Sequence, residues 1–110
     1  MIHSSIYELY DTLSAVDDGN LREVLGSVLD IADEWEFLGM ALDLPQPELK
    51  AIESDKATCK QRMKTMLQAW LWGRGRDPTW QTLCRALRDK LVGRPDIADS
   101  VETMVLRKHI

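Results

Sequence analysis

The chain of 110 residues has only two cysteines, four prolines and six glycines, and 6% of it is aromatic. Two cysteines cannot staple a small secreted scaffold, and glycine and proline are too sparse for collagen or a low-complexity linker. No apolar run approaches the ~18 residues of a membrane-spanning helix. The start, Met1-Ile2-His3-Ser4-Ser5, lacks the basic head and apolar stretch of a signal peptide, so the expected location is the reducing cytoplasm. Histidine, the usual base at neutral pH, occurs only as His3 and His109. A catalytic pair would have to be built from the two fraying ends, so no enzyme and no catalytic residue is expected. Cys59 and Cys84 are separated by 24 residues and fall on apolar stripes. They read as buried structural thiols, because zinc wants four closely spaced ligands and a reactive thiolate wants exposure and a cationic neighbour. Gly73-Arg74-Gly75-Arg76 contains a Gly-x-Gly fragment, but no strand precedes it and no lysine-serine pair completes a phosphate loop. No cofactor, metal or small-molecule substrate is expected.

What is present is 45% hydrophobic and 29% charged sequence, the balance of one domain with a working core. The net charge of -4 hides a division. Residues 1–55 hold 13 acids and two bases, a net of -11, whereas residues 56–110 hold 12 bases and five acids, a net of +7. Such a split favours head-to-tail association of one copy with another or with a relative. The overall acidity argues against nucleic acid and anionic membrane as partners.

Apolar residues recur at intervals of three and four nearly throughout, and sustained alternation is missing, so the chain reads as all-α. Ser5 and Glu8 have capping-box spacing before Ile6, Leu9, Tyr10, Leu13 and Val16, an N-terminal extension helix within residues 1–19. Residues 20–110 form the main domain. Asn20 with Glu23 repeats the cap signal ahead of Leu21, Val24, Leu25, Val28 and Leu29. Trp35, Leu38 and Leu42 follow, and Pro45 and Pro47 stop that helix and start the next, which carries Leu49 and Ile52. From Ala57 to Trp72 the stripe is Cys59, Met63, Met66, Leu67, Trp70 and Leu71. Thr79 caps a segment with Trp80, Leu83, Cys84, Leu87 and Leu91 on one face, closed by Gly93. Pro95 opens a last helix that buries Ile97, Ala98, Val101, Met104 and Val105. Connections are short, as in a compact bundle of antiparallel neighbours.

Read in order, several motifs match a family. They are Trp35-x-x-Leu38, Leu42-x-Leu44, Pro45-x-x-Glu48-Leu49-x-x-Ile52-Glu53, Met66-Leu67-x-x-Trp70-Leu71, Pro78-Thr79-Trp80-x-x-Leu83-x-x-Ala86-Leu87 and Arg94-Pro95-Asp96-Ile97-Ala98. Over about residues 20–106 the chain resembles a death domain. The resemblance implies a six-helix antiparallel Greek-key bundle, no catalysis, and assembly with other death domains in apoptotic or inflammatory signalling. The segment Ser5–Val16 is a helix additional to those six. Many family members have Leu-Gly-Leu where this chain has Leu42-Asp43-Leu44. Gly39 stands one turn earlier.

The tryptophans Trp35, Trp70 and Trp80 belong to the stripes and read as core. Trp72 does not: counting from Cys59 it falls at about 220°, against a stripe centred at about 30°. An exposed ring beside Arg74 and Arg76 is a natural anchor for a partner. The expected partner-binding residues are therefore the acids Glu36, Asp43, Glu48, Glu53 and Asp55 on one subunit, and Lys60, Lys64, Trp72, Arg74 and Arg76 on the next. The partners expected are other death-domain proteins and a second copy of this chain. Two alternatives compete: a structural domain that dimerises through the N-terminal helix, and a helix-turn-helix-like nucleic-acid binder using Lys60, Arg62, Lys64, Arg74, Arg76, Arg85 and Arg88.

Overall fold

A computed structural model describes residue 16, residues 20–73 and residues 78–108. The expected helix over Ser5–Val16 lies outside the described residues except for Val16. Helix α1 is Leu21–Val28, followed by a 3-10 segment at Leu29–Glu34. Then come α2 (Trp35–Ala41), α3 (Gln46–Asp55), α4 (Cys59–Trp72), α5 (Trp80–Arg88) and α6 (Pro95–Lys108). No β-strand occurs among the described residues, as expected of an all-α chain.

The central element is α4, which packs against α1, the 3-10 segment, α2 and α3; α5 and α6 pair closely, α6 also meets α1, and α2 touches α3 and α5. This arrangement follows from the stripes. Met63, Met66, Leu67 and Trp70 of α4 meet Leu38, Leu49, Leu83, Leu87 and Val101 in a core where each is almost wholly buried. Trp35 and Trp80 are buried with them. From α1 to α2 the buried positions Val24, Val28, Ile31, Trp35, Leu38 and Leu42 keep three-and-four spacing. The backbone nevertheless kinks at Ile31 (φ -115°, ψ 28°).

Helix ends explain where the elements stop. Asn20, expected to cap α1, has helical backbone angles and makes no side-chain cap hydrogen bond. Thr58 does cap α4: its Oγ1 accepts from the Gln61 N–H at 3.1 Å, and Gln61 Oε1 accepts from the Thr58 N–H at 3.4 Å. This is a reciprocal capping box. Thr79 caps α5 by accepting from the Thr82 N–H at 3.0 Å. Pro45 and Pro47 occupy the cap and first turn of α3, where a missing N–H costs no helical bond.

The α2–α3 junction is a Schellman turn: the Asp43 N–H donates to Met40 O and the Leu44 N–H to Gly39 O, both at 3.0 Å. Asp43 holds the left-handed position, φ 65°, that glycine ordinarily fills. Packing one turn earlier requires Gly39, because a Cβ there would lie 2.7 Å from Leu49 Cδ2 and 3.2 Å from Met66 Cγ.

Three expectations about burial are corrected, the first being Met104, which is only half-buried against the core. Leu91 does not extend the α5 stripe. The helix ends at Arg88, the Asp89 carboxylate accepts from the Leu91 N–H at 2.9 Å, and Leu91 is 43% exposed. That Asx turn competes with helix continuation, and Val92 enters the core instead. Cys84 is buried, with Sγ donating to Ala98 O at 3.6 Å. Cys59, at the first position of α4, is only half-buried because the helix end leaves one side open.

Candidate interaction surface

Lys60, Lys64, Gln68 and Trp72 stand at intervals of four residues on α4, a line that starts on the flank of its core stripe and ends on the face opposite it. Four residues fall ~40° beyond a full turn, so over roughly 18 Å the line sweeps around the helix by about a third of its circumference. Lys60 and Lys64 are exposed and Gln68 is half-buried. Trp72, which the helical count places off the stripe, is 59% exposed. Sequence reasoning therefore located Lys60, Lys64 and Trp72 on one helix, and in the structure all three are exposed there. Arg74 and Arg76 lie outside the described residues.

Of the acids, Glu53 and Asp55 are exposed at the last turn of α3, Asp43 is exposed at the α2–α3 turn, and Glu36 on α2 and Glu48 at the start of α3 are half-buried. The end of α3 and the start of α4 form one corner, so Glu53 and Asp55 lie next to the beginning of the lysine line. Asp55 and Lys56 are 3.1 Å apart.

That corner is held by a residue the sequence reading grouped only with the other bases. Arg62 donates from Nε to Lys56 O at 2.9 Å and from Nη2 to Glu53 O at 3.1 Å. The guanidinium thereby satisfies carbonyls that α3 leaves unpaired at its C-terminus and adds a favourable charge at the negative end of its dipole. Its signal in the sequence was a cation one turn into the helix after a short connection. The Thr58-x-x-Gln61 box, a legible cap signal, fixes the same corner.

On the far side, Arg88 of α5 grips α6, with Nη1 donating to Glu102 Oε1 at 2.8 Å and Nη2 to Asp99 Oδ1 at 2.6 Å. The bonds to Glu102 and then Asp99 hold the guanidinium above its ordinary pKa. Arg94 donates two parallel bonds of 3.0 Å to the Asp96 carboxylate. The bond from Arg94 is the main cause that holds Asp96 below the usual carboxylate range. The bond to Asp96 raises Arg94, and the charges of Glu34 and Asp30 add to it. Arg62 and Arg88 are thus engaged within the fold. Among the described bases of a nucleic-acid surface, Lys60, Lys64 and Arg85 are the exposed ones free of such duties.

Among the described residues no group of three or more His, Cys, Asp or Glu side chains is placed to hold a metal. None of their helices is long and apolar enough to cross a membrane.

A helical bundle with a satisfied core and an outward line of cations ending in an exposed indole has the form of a recognition module. Residues 18–105 match the family model of the Death domain, and the chain belongs to that family. Death domains are non-catalytic protein-interaction modules of apoptotic and inflammatory signalling that bind other death-domain proteins. No curated protein matches the chain significantly. The same holds for solved structures.

Proposed function

We propose that this domain assembles with other death domains, including copies of itself, through a heterologous contact. The Lys60–Lys64–Trp72 line, continued by Arg74 and Arg76, docks onto the acids Glu36, Asp43, Glu48, Glu53 and Asp55 of the next subunit. The observation that supports this reading is the exposure of both lysines and of the Trp72 indole, 59% exposed, along a line that winds over the outer surface of α4. An aromatic anchor flanked by cations is the composition of a binding hot spot.

Because the two surfaces differ, a contact of this kind leaves one of each free and extends into a ring or a helical stack. Each exposed ion pair contributes only about 0.2 to 1 kcal/mol, so assembly needs subunits concentrated by a receptor or scaffold. In this reading the fold is the family's six-helix Greek key, with residues 1–19 as an added helix, and the domain works as a cytoplasmic adaptor module.

Light scattering at low and high salt tests it. Screening shortens from about 10 Å at 0.1 M to about 3 Å at 1 M, so association through this surface must weaken across that range. Association indifferent to salt would defeat the reading.

A further inference from the structure

The buried residues Val24, Val28, Ile31, Trp35, Leu38 and Leu42 run through the kink between α1 and α2 without a break in their spacing. On one uninterrupted helix they would fall within an arc of about 80°, a single apolar stripe. The chain does not take that course. Leu29–Glu34 is a 3-10 segment, and the backbone leaves helical angles at Val28 (φ -110°, ψ 6°), Ile31 and Glu34 (φ -106°, ψ 21°). Six residues make a long 3-10 run, whose hydrogen bonds are poorer than those of an α-helix. No glycine or proline stands between Gly26 and Gly39 to demand the break.

What opposes the uninterrupted helix is charge and burial. No base stands between Arg22 and Lys50. Asp30 and Glu34 are four residues apart and Asp33 and Glu36 three apart, pairs of like charge on a helix surface. In the bent form Arg94, bonded to Asp96, is near enough to Glu34 and Asp30 to feel both charges. Straightening within one chain would also lift α1 off α4 and α6, the helices it packs against. Val24 and Val28, 1% and 0% exposed, would then meet water. A second copy opened in the same way removes that loss, because its α1 has the sequence of the one displaced.

We propose that Leu29–Glu34 is a hinge through which two copies of the chain exchange α1. The hinge straightens into one helix of about 31 Å from Leu21 to Ala41, and each α1 takes the seat on α4 and α6 that the other has left. All buried contacts of α1 are kept, now between subunits, and the 3-10 run is replaced by α-helical bonds. The product is a closed two-fold dimer. It is independent of the charged contact above: it persists in 1 M salt, and it comes apart only when α1 leaves its seat.

The test refolds an equal mixture of 13C-labelled and unlabelled chains at roughly millimolar concentration and isolates the dimer by size exclusion in 1 M salt. Isotope-filtered NOEs from the Val24 and Val28 methyl groups to side chains of α4 and α6 should then run between labelled and unlabelled chains. Asp30→Ala with Glu34→Ala removes the like-charge pair and the pull of Arg94 and adds helix propensity, so it should raise the dimerisation constant about tenfold or more. Ala32→Gly, which weakens the straight helix once in each chain, should lower it about tenfold or more. A dimer whose α1 contacts stay within one chain overturns the proposal, as does a double-alanine variant that folds with unchanged helix content and stays monomeric.

Discussion

The Leu49 side chain occupies the space that a Cβ on Gly39 would need, at 2.7 Å from where that atom would sit. Leu49 and Met66 are both fully buried, so neither can swing into solvent to make room. Gly39→Ala gains helix propensity of roughly 0.5 to 1 kcal/mol but overpacks the junction at about 1 to 3 kcal/mol. The expected outcome is a net loss of about 1 kcal/mol in urea unfolding. In a Leu49→Ala background, itself destabilised, the added cost of Gly39→Ala should vanish, a coupling that a double-mutant cycle reads directly.

Asp43 presents the opposite case, a left-handed backbone held without glycine. Asp43→Gly should stabilise the domain by about 0.5 to 1 kcal/mol and raise the melting temperature by several degrees. Asp43→Val, β-branched in the same conformation, should lower it. Thermal unfolding followed by circular dichroism measures both. If Asp43→Gly brought no gain, the turn would not be under strain.

Arg88 joins α5 to α6 through two carboxylates, but its side chain is 37% exposed. Solvent screening limits each pair to about 0.2 to 1 kcal/mol, so Arg88→Met should cost about 1 kcal/mol in low salt. The difference from the parent should shrink in 1 M salt. A cost that persists there would point to packing of the arginine stem rather than to its charge.

Asp96 gives the domain a pH dependence of known sign. Its carboxyl is held below the ordinary range by Arg94, so the bond's contribution is complete above the unfolded carboxylate value of about 3.9. It is lost as pH falls through the lower folded value. Urea midpoints should therefore drop as acid passes below about pH 4. Asp96→Asn should be less stable at neutral pH and show a shallower acid decline.

Much of the fold was legible because the core stripes kept a helical period, and the placement of Trp35, Trp70 and Trp80 inside and Trp72 outside followed from counting alone. The kink at Ile31 was not, since Val28, Ile31 and Trp35 keep the same spacing through it and leave no mark in the pattern. The end of α5 was misjudged because Leu91 fits the stripe; an Asx turn at Asp89, a local side-chain choice, cut the helix short. At the surface, residue types showed which side chains are charged but not which are engaged. Arg62 looks like Lys60 and Lys64 in the sequence, yet it caps α3 through carbonyls nine and six residues away. Arg88 looks like Arg85, yet its partners lie across a turn in another helix.

The central claim is that unlike charges on neighbouring subunits meet, and a charge-swap mixture tests it most directly. Lys60→Glu with Lys64→Glu removes the excess of positive charge from the cationic surface, and Glu53→Lys with Asp55→Lys removes most of the negative charge from the anionic one. Sedimentation should find each variant unable to self-associate at low salt, while an equal mixture of the two regains assembly because each supplies the surface the other has lost. Variants that associate as the parent does, or a mixture that stays monomeric, would contradict the account.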